Sequence, residues 1–279
     1  MNTGVGAILI IMMTVFGLLG AIAFSLSIVL IRRSVAKVRV REDYDEDVDE
    51  KQTKEEKEAF LKVKEAEKDF LKISLKDAIK DNKKRFVILA VLGLISGLVL
   101  TFYFFNDSPL KVVTFLCFYL IMTVESCIDI DTMEIPPEFN IAIAVLGLIS
   151  IFTFGDITTI IQSGNFWPII NRLIGAACIA VPLIILDLFI EGAFGFGDIK
   201  LLLAAGFLLG WKITVIGFFM GTIIGAISGL IQVAKKKKSG KEHVPFGPSL
   251  CMGLALGVLY AEPFLNWYLS MAKAMMTAE

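Results

Sequence analysis

The chain has 279 residues, of which 56% are hydrophobic, and its mean hydropathy is +0.74. Soluble domains are usually about 45–50% apolar, so this composition excludes an ordinary soluble protein and predicts an integral membrane protein. The net charge of −1 is an average over unlike regions, because 17 of the 27 basic residues lie in 32–85 and another five in 235–241. We therefore expect the chain to lie in a lipid bilayer. The net charge says nothing about nucleic-acid binding, and no nucleic-acid partner is expected.

Apolar stretches of spanning length recur along the chain, and a transmembrane helix needs about 20 such residues. The sequence predicts an all-α, polytopic membrane protein with about eight transmembrane helices and one cytoplasmic helical insertion. The predicted helices cover residues 5–31, 86–105, 112–128, 138–155, 168–190, 199–210, 213–232 and 247–266. Arg32 and Arg33 follow the first helix where a cleavage site would need small residues, so we expect a span and not a removed signal peptide.

The basic clusters predict which side of the membrane each loop occupies, because basic residues in short loops mark the cytoplasmic side. Residues 32–41 and 83–85 place both ends of one segment in the cytoplasm. Eight crossings then return 235–241 to the same side and leave both termini outside. The predicted regions are a first transmembrane helix at 1–31, a charged cytoplasmic segment at 32–85 and a transmembrane domain at 86–279.

The charged cytoplasmic segment divides into two parts. Its acidic run at 41–50 is expected to be solvated and disordered. Residues 55–81 are rich in Lys, Glu, Ala and Leu, and their apolar side chains recur at three-to-four spacing, which predicts an amphipathic helix. Such a helix could rest on the membrane surface, or it could form a platform for a partner or substrate.

The four cysteines form no CxxC pair, and His243 is the only histidine. A structural zinc site needs closely spaced Cys or His ligands, so no metal cluster is expected. The cysteines are predicted to be small apolar residues of helices.

Carboxylates near the membrane are the residues most indicative of function, because a charged side chain deep in the bilayer costs at least about 2.5–3.5 kcal/mol. The acidic candidates at or near predicted cytoplasmic helix ends are Glu125, Asp129, Asp131, Glu134, Asp187, Glu191 and Asp198. Lys200 is the one cation among them. This excess of acids is untypical of a structural ion-pair network, and it predicts a carboxylate-driven site at the membrane–cytoplasm boundary.

Two stretches concentrate these acids. In the first, Pro136 cannot continue a helix, so Asp129 and Asp131 lie near the end of one. In the second, several glycines permit close backbone geometry just before Asp198. Asp198 begins a new helix, where the helix dipole stabilises an anion.

A pair of such carboxylates can perform proteolysis. Two aspartates that approach closely cannot both stay ionised, so one keeps its proton. The ionised member can activate water as a general base, while the protonated member polarises a peptide carbonyl and later protonates the leaving amine. This is aspartic proteolysis, which needs no Ser, His, Cys or metal.

Three blocks of this sequence, in order, resemble the signature blocks of the type IV prepilin peptidases, a family of GxGD-type membrane aspartic peptidases. The first family block, Asp-x-x-x-x-x-(Ile/Leu)-Pro, is matched by Asp129 through Pro136. The third, PFGP, is matched at 245–248. The second, GxGDxKLL, is matched by Gly195, Gly197, Asp198, Lys200, Leu201 and Leu202. The resemblance extends over about residues 86–266.

The resemblance implies eight transmembrane helices, catalytic Asp129 and Asp198, and cleavage of prepilin leader peptides at the cytoplasmic face of a bacterial-type plasma membrane. The implied substrates are prepilins or pseudopilins of type IV pili or protein secretion, each with a single N-terminal apolar helix. The cut is expected after a Gly that follows a basic leader. Supporting roles are expected for the matched residues Gly195, Gly197, Lys200 and Pro136.

The sequence departs from the longer family members in the segment after the first helix. Those members carry two CxxC pairs that bind zinc, in a domain associated with N-methylation of the mature pilin. Residues 32–85 contain no Cys or His. No zinc is therefore expected, and both N-methylation and a role for S-adenosylmethionine are in doubt.

Within the first block, Asp131 competes with Asp129 for the catalytic role. The family's spacing to the proline selects Asp129, which leaves Asp131 as a support or a spectator. Glu125 lies one helical turn before Asp129. It either tunes the protonation of Asp129 or is simply a buried, protonated acid.

Two other functions fit acidic residues in a membrane protein. A proton- or cation-coupled transporter would use carboxylates near the bilayer midplane, for which Asp187 is the best candidate. A magnesium-dependent lipid-phosphate transferase would use Asp129, Asp131 and Asp198 as metal ligands. The substrate identity, the oligomeric state and the role of 42–82 are not written in the sequence.

Overall fold

A computed structural model describes residues 3–48, 78–80, 82–190, 194–234 and 245–276, and every element with defined bounds in these ranges is a helix. The predicted all-α fold is therefore confirmed. In chain order the helices are α1 Thr3–Leu26, α2 Ile28–Val48, α3 Lys83–Tyr103, α4 Pro109–Thr132, α5 Pro137–Thr153, α6 Asp156–Ser163, α7 Trp167–Phe189, α8 Phe196–Leu209, α9 Trp211–Ala234 and α10 Gly247–Met276.

Within the described ranges, six helices are long and apolar enough to cross a membrane. The pair α5 and α6, bent by 45° at a short break, makes a seventh candidate span. The sixth predicted helix, 199–210, exists as α8, but its 14 residues extend only about 21 Å against an apolar bilayer core of about 30 Å. The expected count of eight spans is thus not confirmed, because α8 is too short to cross alone.

The first helical region is longer than expected. The first candidate span runs Val5–Arg39, past the predicted boundary at residue 31. Residues 41–48, expected to be disordered, continue α2 as helix, so that prediction is wrong for them. The reason is local: 28–48 contains neither Gly nor Pro, so nothing ends the helix that begins at Ile28. The predicted amphipathic helix at 55–81 lies almost wholly outside the described residues.

The chain divides into two compact units. Unit 1 contains Met1–Phe105 and Thr123–Pro136, and unit 2 contains Asn106–Met122 and Pro137–Glu279. In unit 1, α1 packs along α3. Gly93 and Gly97 of α3 lie directly on the α1 backbone, which brings two apolar helices into close contact.

In unit 2, small residues also set the helix packing. Gly217 and Gly221 of α9 lie against Gly253 and Leu254 of α10. Gly175 of α7 and Gly206 of α8 are packed backbone to backbone. In an apolar solvent, such close approach supplies the dispersion contacts that hold helices together.

Helix α8 is the buried helix of unit 2. Eight of its 14 residues are buried, and it packs against α5 and α7. Its sequence is apolar on all sides after the first turn, which is typical of a helix surrounded by others. The first turn carries Asp198.

Candidate functional site

Asp129 lies in the last turns of α4, within unit 1. Its residue is 5% exposed, and Glu125, one turn earlier, is fully buried. The helix ends just beyond them at Thr132, and the next residue, Met133, has a left-handed φ of 56°. The Met133 amide donates a hydrogen bond to the Asp129 carbonyl oxygen at 2.8 Å, which closes the last turn. The sequence thus places a buried carboxylate at the end of an apolar helix.

Asp131 has a different environment from Asp129. The Arg85 guanidinium donates two hydrogen bonds to its carboxylate, at 2.5 and 2.9 Å. This bidentate pair joins the start of α3 to the end of α4, and both side chains are partly exposed. The sequence analysis used Arg85 only as part of a basic cluster that marks the cytoplasmic side. Its contact with Asp131 was not predicted, because the two positions are 46 residues apart and leave no local pattern.

The polar turn after α4 ends in two prolines. Pro136 is buried, and α5 begins at Pro137. Proline suits the first position of a helix because its missing N–H would have had no intrahelical partner. Pro136 thus lies between the two helices, and its expected supporting role stays a prediction.

Asp198 lies in the first turn of α8, within unit 2, and is half-buried. Gly195 is the N-cap residue, and a Cβ on it would come within 3.1 Å of the Asp198 Oδ2 atom. A side chain at 195 would therefore lie in tight contact with the carboxylate unless that carboxylate shifted. Gly197 lies beside it in the same turn.

Two further candidate residues of unit 2 are Lys200 and Asp187. Lys200 is exposed, and its ammonium lies 4.7 Å from the Phe196 ring centroid. Asp187 lies in the last turn of α7 and is half-buried. Glu191 falls outside the described residues.

Asp129, Asp131 and Glu125 belong to unit 1, whereas Asp198 belongs to unit 2. The two motif aspartates therefore belong to different units, and the predicted pairing of Asp129 with Asp198 stays a prediction.

A buried arginine that sequence reasoning passed over organises the other end of α8. Arg172 of α7 is 3% exposed, and its guanidinium donates to Asp156 at 2.6 Å and to the Ser150 hydroxyl at 2.7 Å. It also donates to the Phe207 and Leu208 carbonyls at 3.2 and 3.1 Å. Those carbonyls belong to the last turn of α8, where no intrahelical donor is left for them. Arg172 therefore caps α8 and favours its negative dipole end.

This network fixes the relative direction of α5 and α8. Ser150, near the end of α5, and Leu208, near the end of α8, bind the same guanidinium. Gly147, one turn earlier on α5, lies against Phe207. Since the two helices also pack side by side, they run in the same direction and both end near Arg172.

Asn140 is a further residue that sequence reasoning missed. It lies on the buried face of α5 with Gly147 and Ser150, and it is 6% exposed. Neither atom of its amide has a hydrogen-bond partner among the described residues. Ten residues separate Asn140 from Ser150 and Asp198 from Leu208, about 15 Å in each helix. Because the helices pack side by side in the same direction, Asn140 lies nearer to the first turn of α8 than to its last turn.

Comparison with known proteins bears on this region. Residues 114–230 match the model of the type IV leader peptidase family. The chain is 29% identical over 149 residues to a prepilin leader peptidase/N-methyltransferase of Legionella pneumophila, covering 51% of this chain and 48% of that protein. It is 34% identical over 100 residues to a protein of the same name from Bacillus subtilis (strain 168), covering 36% of this chain and 40% of that protein.

These matches confirm the resemblance to the prepilin peptidases, and with the apolar helices they indicate a multi-pass membrane protein. The chain spans about half the length, or less, of the curated relatives it matches. No solved structure matches the chain significantly.

Proposed function

We propose that this chain is a membrane aspartic endopeptidase that removes the leader peptide of type IV prepilin-like proteins. The observation that carries the proposal is the family match over 114–230, which includes both carboxylates selected by the sequence motifs. Asp129 ends one helix and Asp198 begins another. A two-carboxylate hydrolase requires two carboxyl groups that share a proton, and we assign these roles to Asp129 and Asp198.

In the proposed mechanism, Asp129 and Asp198 share one proton. The ionised carboxylate takes a proton from the attacking water, and the protonated carboxyl donates a hydrogen bond to the scissile carbonyl oxygen. After the tetrahedral intermediate forms, the proton passes to the leaving amine. Burial of Asp129 supports this role, because electrostatic interactions with the reacting groups are stronger where bulk water is excluded.

The Arg85–Asp131 ion pair supports choosing Asp129 over Asp131. A carboxylate that already accepts two hydrogen bonds from a guanidinium is held as an ion-pair partner. Such a group suits the fixing of α3 to the end of α4 better than it suits proton exchange. We accordingly assign Asp131 a supporting role. Glu125 is assigned to the buried surroundings of Asp129.

The proposed substrate is a single apolar helix that lies in the bilayer and carries a basic leader. The leader stays in the cytoplasm, and the cut follows a Gly at the junction between leader and helix. The names of the relatives include N-methyltransferase activity. For this chain we propose cleavage without zinc-supported methyl transfer, because 32–85 offers no Cys or His ligand.

The test incubates the purified full-length protein with a prepilin-like peptide that includes its apolar segment, and the new N-terminus is identified by mass spectrometry. Cleavage after the junction Gly, unaffected by EDTA and absent in Asp198→Ala, is the expected result. Loss of activity with EDTA would favour the magnesium-dependent alternative. Transfer of a labelled methyl group to the new N-terminus would overturn the proposed restriction to cleavage.

A further inference from the structure

A cavity of about 1180 Å³ lies in unit 1, lined by residues of α2, α3 and the end of α4. Among the described lining residues, Asp131 is the one acidic side chain, and Arg85 already binds both of its oxygens. The basic side chains that line the cavity are Arg32, Arg39, Lys80, Lys83, Lys84 and Arg85. Basic side chains therefore outnumber acidic ones by six to one among the cavity residues that the structure describes.

The same cavity has an apolar side. Ile88 and Leu92 of α3 line it, and they are 58% and 43% exposed. Ile130 of α4 lines it as well and is also exposed. These residues belong to helices that qualify as membrane spans, so their exposed surface suits contact with acyl chains. The cavity thus joins a cationic wall to an apolar wall.

We propose that this cavity binds the headgroup of an anionic phospholipid. Lys83, Lys84 and Arg39 would receive the phosphate, and the acyl chains would lie along Ile88 and Leu92. Basic pockets beside transmembrane helices attract anionic headgroups, because each Lys or Arg near the surface adds favourable electrostatic energy. The long apolar stems of Lys and Arg also allow their charges to reach the headgroup level. This assignment does not rest on the proposed peptidase activity.

The chemistry and size of the cavity argue against other ligands. A basic leader peptide would be repelled by the same side chains. The cavity exceeds the 300–1,000 Å³ of typical small-ligand sites, so a free phosphate ion would leave most of it unfilled. A phospholipid headgroup with the first part of its chains matches both the volume and the two kinds of wall.

The test measures lipid retained by the purified full-length protein, using native mass spectrometry with phosphatidylglycerol or phosphatidylcholine added in matched amounts. The cavity variant is Lys83→Gln with Lys84→Gln. The control is Lys111→Gln with Lys212→Gln, which removes two charges outside the cavity. A second variant, Lys83→Arg with Lys84→Arg, keeps the charge and separates electrostatics from damage to the fold.

We expect wild type, the control and the arginine variant to retain phosphatidylglycerol in preference to phosphatidylcholine. The glutamine variant should bind phosphatidylglycerol at least about tenfold more weakly, and added salt should reduce the difference. Equal retention by the glutamine variant and the control would overturn the proposal. Displacement of the lipid by millimolar inorganic phosphate would also overturn it, since it would indicate a small-anion site.

Discussion

Asn140 shows how a single buried side chain can indicate function. An amide buried without hydrogen bonds costs about 1–3 kcal/mol, so a purely structural role would favour an apolar residue of similar size. Because it lies towards the first turn of α8, we expect it to donate a hydrogen bond to the substrate peptide or to the Asp198 carboxyl.

We expect Asn140→Leu to raise the melting temperature while it lowers cleavage at least tenfold. We expect the gain in stability because the substitution removes a polar group that has no hydrogen bond and keeps the side-chain volume similar. Thermal unfolding and peptide cleavage, measured on the same preparation, check this. A less stable protein with unchanged cleavage would show that Asn140 serves packing alone.

Residue-level chemistry was only partly predictable from the sequence. The motifs selected Asp129 and Asp198, because residue type and spacing are local. The Arg85–Asp131 pair and the Arg172 network join positions far apart in the chain, so they needed the tertiary structure. Asn140 had one local signal, because it is a lone amide in an apolar helix that begins just after the first motif's proline.

At the scale of helices, Arg172 is the main polar connection in unit 2. It joins α7 to α5, α6 and the carbonyl end of α8. We expect Arg172→Met to destabilise the protein by about 3–5 kcal/mol, because Asp156 and two helix-end carbonyls lose a buried partner. Thermal unfolding checks this, with Lys212→Met as a control at an exposed cation. Equal melting temperatures for the two variants would contradict a structural role for the network.

The close contact of α9 and α10 gives a second prediction. A methyl group on Gly253 would overlap the α9 backbone at Gly217 and Gly221, and backbone cannot move aside locally. We expect Gly253→Ala to destabilise the protein by about 1–3 kcal/mol through overpacking. Gly229→Ala is the matched control, since nothing lies within 4 Å of its added Cβ. If both variants melt alike, the backbone contact does not determine the packing of these helices.

Helix positions were predictable because apolar stretches of spanning length are visible without tertiary information. Their ends were less so. The α2 helix continues past the expected boundary because an acidic run without Gly or Pro does not itself end a helix. The short α8 matches the expected range, but its burial among α5 and α7 reflects packing that hydropathy does not report.

For the molecule as a whole, the central claim is that Asp129 and Asp198 act as one catalytic pair. The motifs come from separate parts of the sequence, and each carboxylate lies at the end of its own helix. A shared proton makes the two residues interdependent, so their substitutions should not have additive effects.

The most direct measurement is the cleavage rate of a prepilin-like peptide by Asp129→Asn, Asp198→Asn, the double variant and Asp131→Asn. Each catalytic single variant should lose at least about 100-fold in rate, and the double variant should be little worse than either. Asp131→Asn, the matched control two residues away, should keep substantial cleavage. Retained cleavage by a folded Asp129→Asn variant, together with its loss in Asp131→Asn, would contradict the assignment.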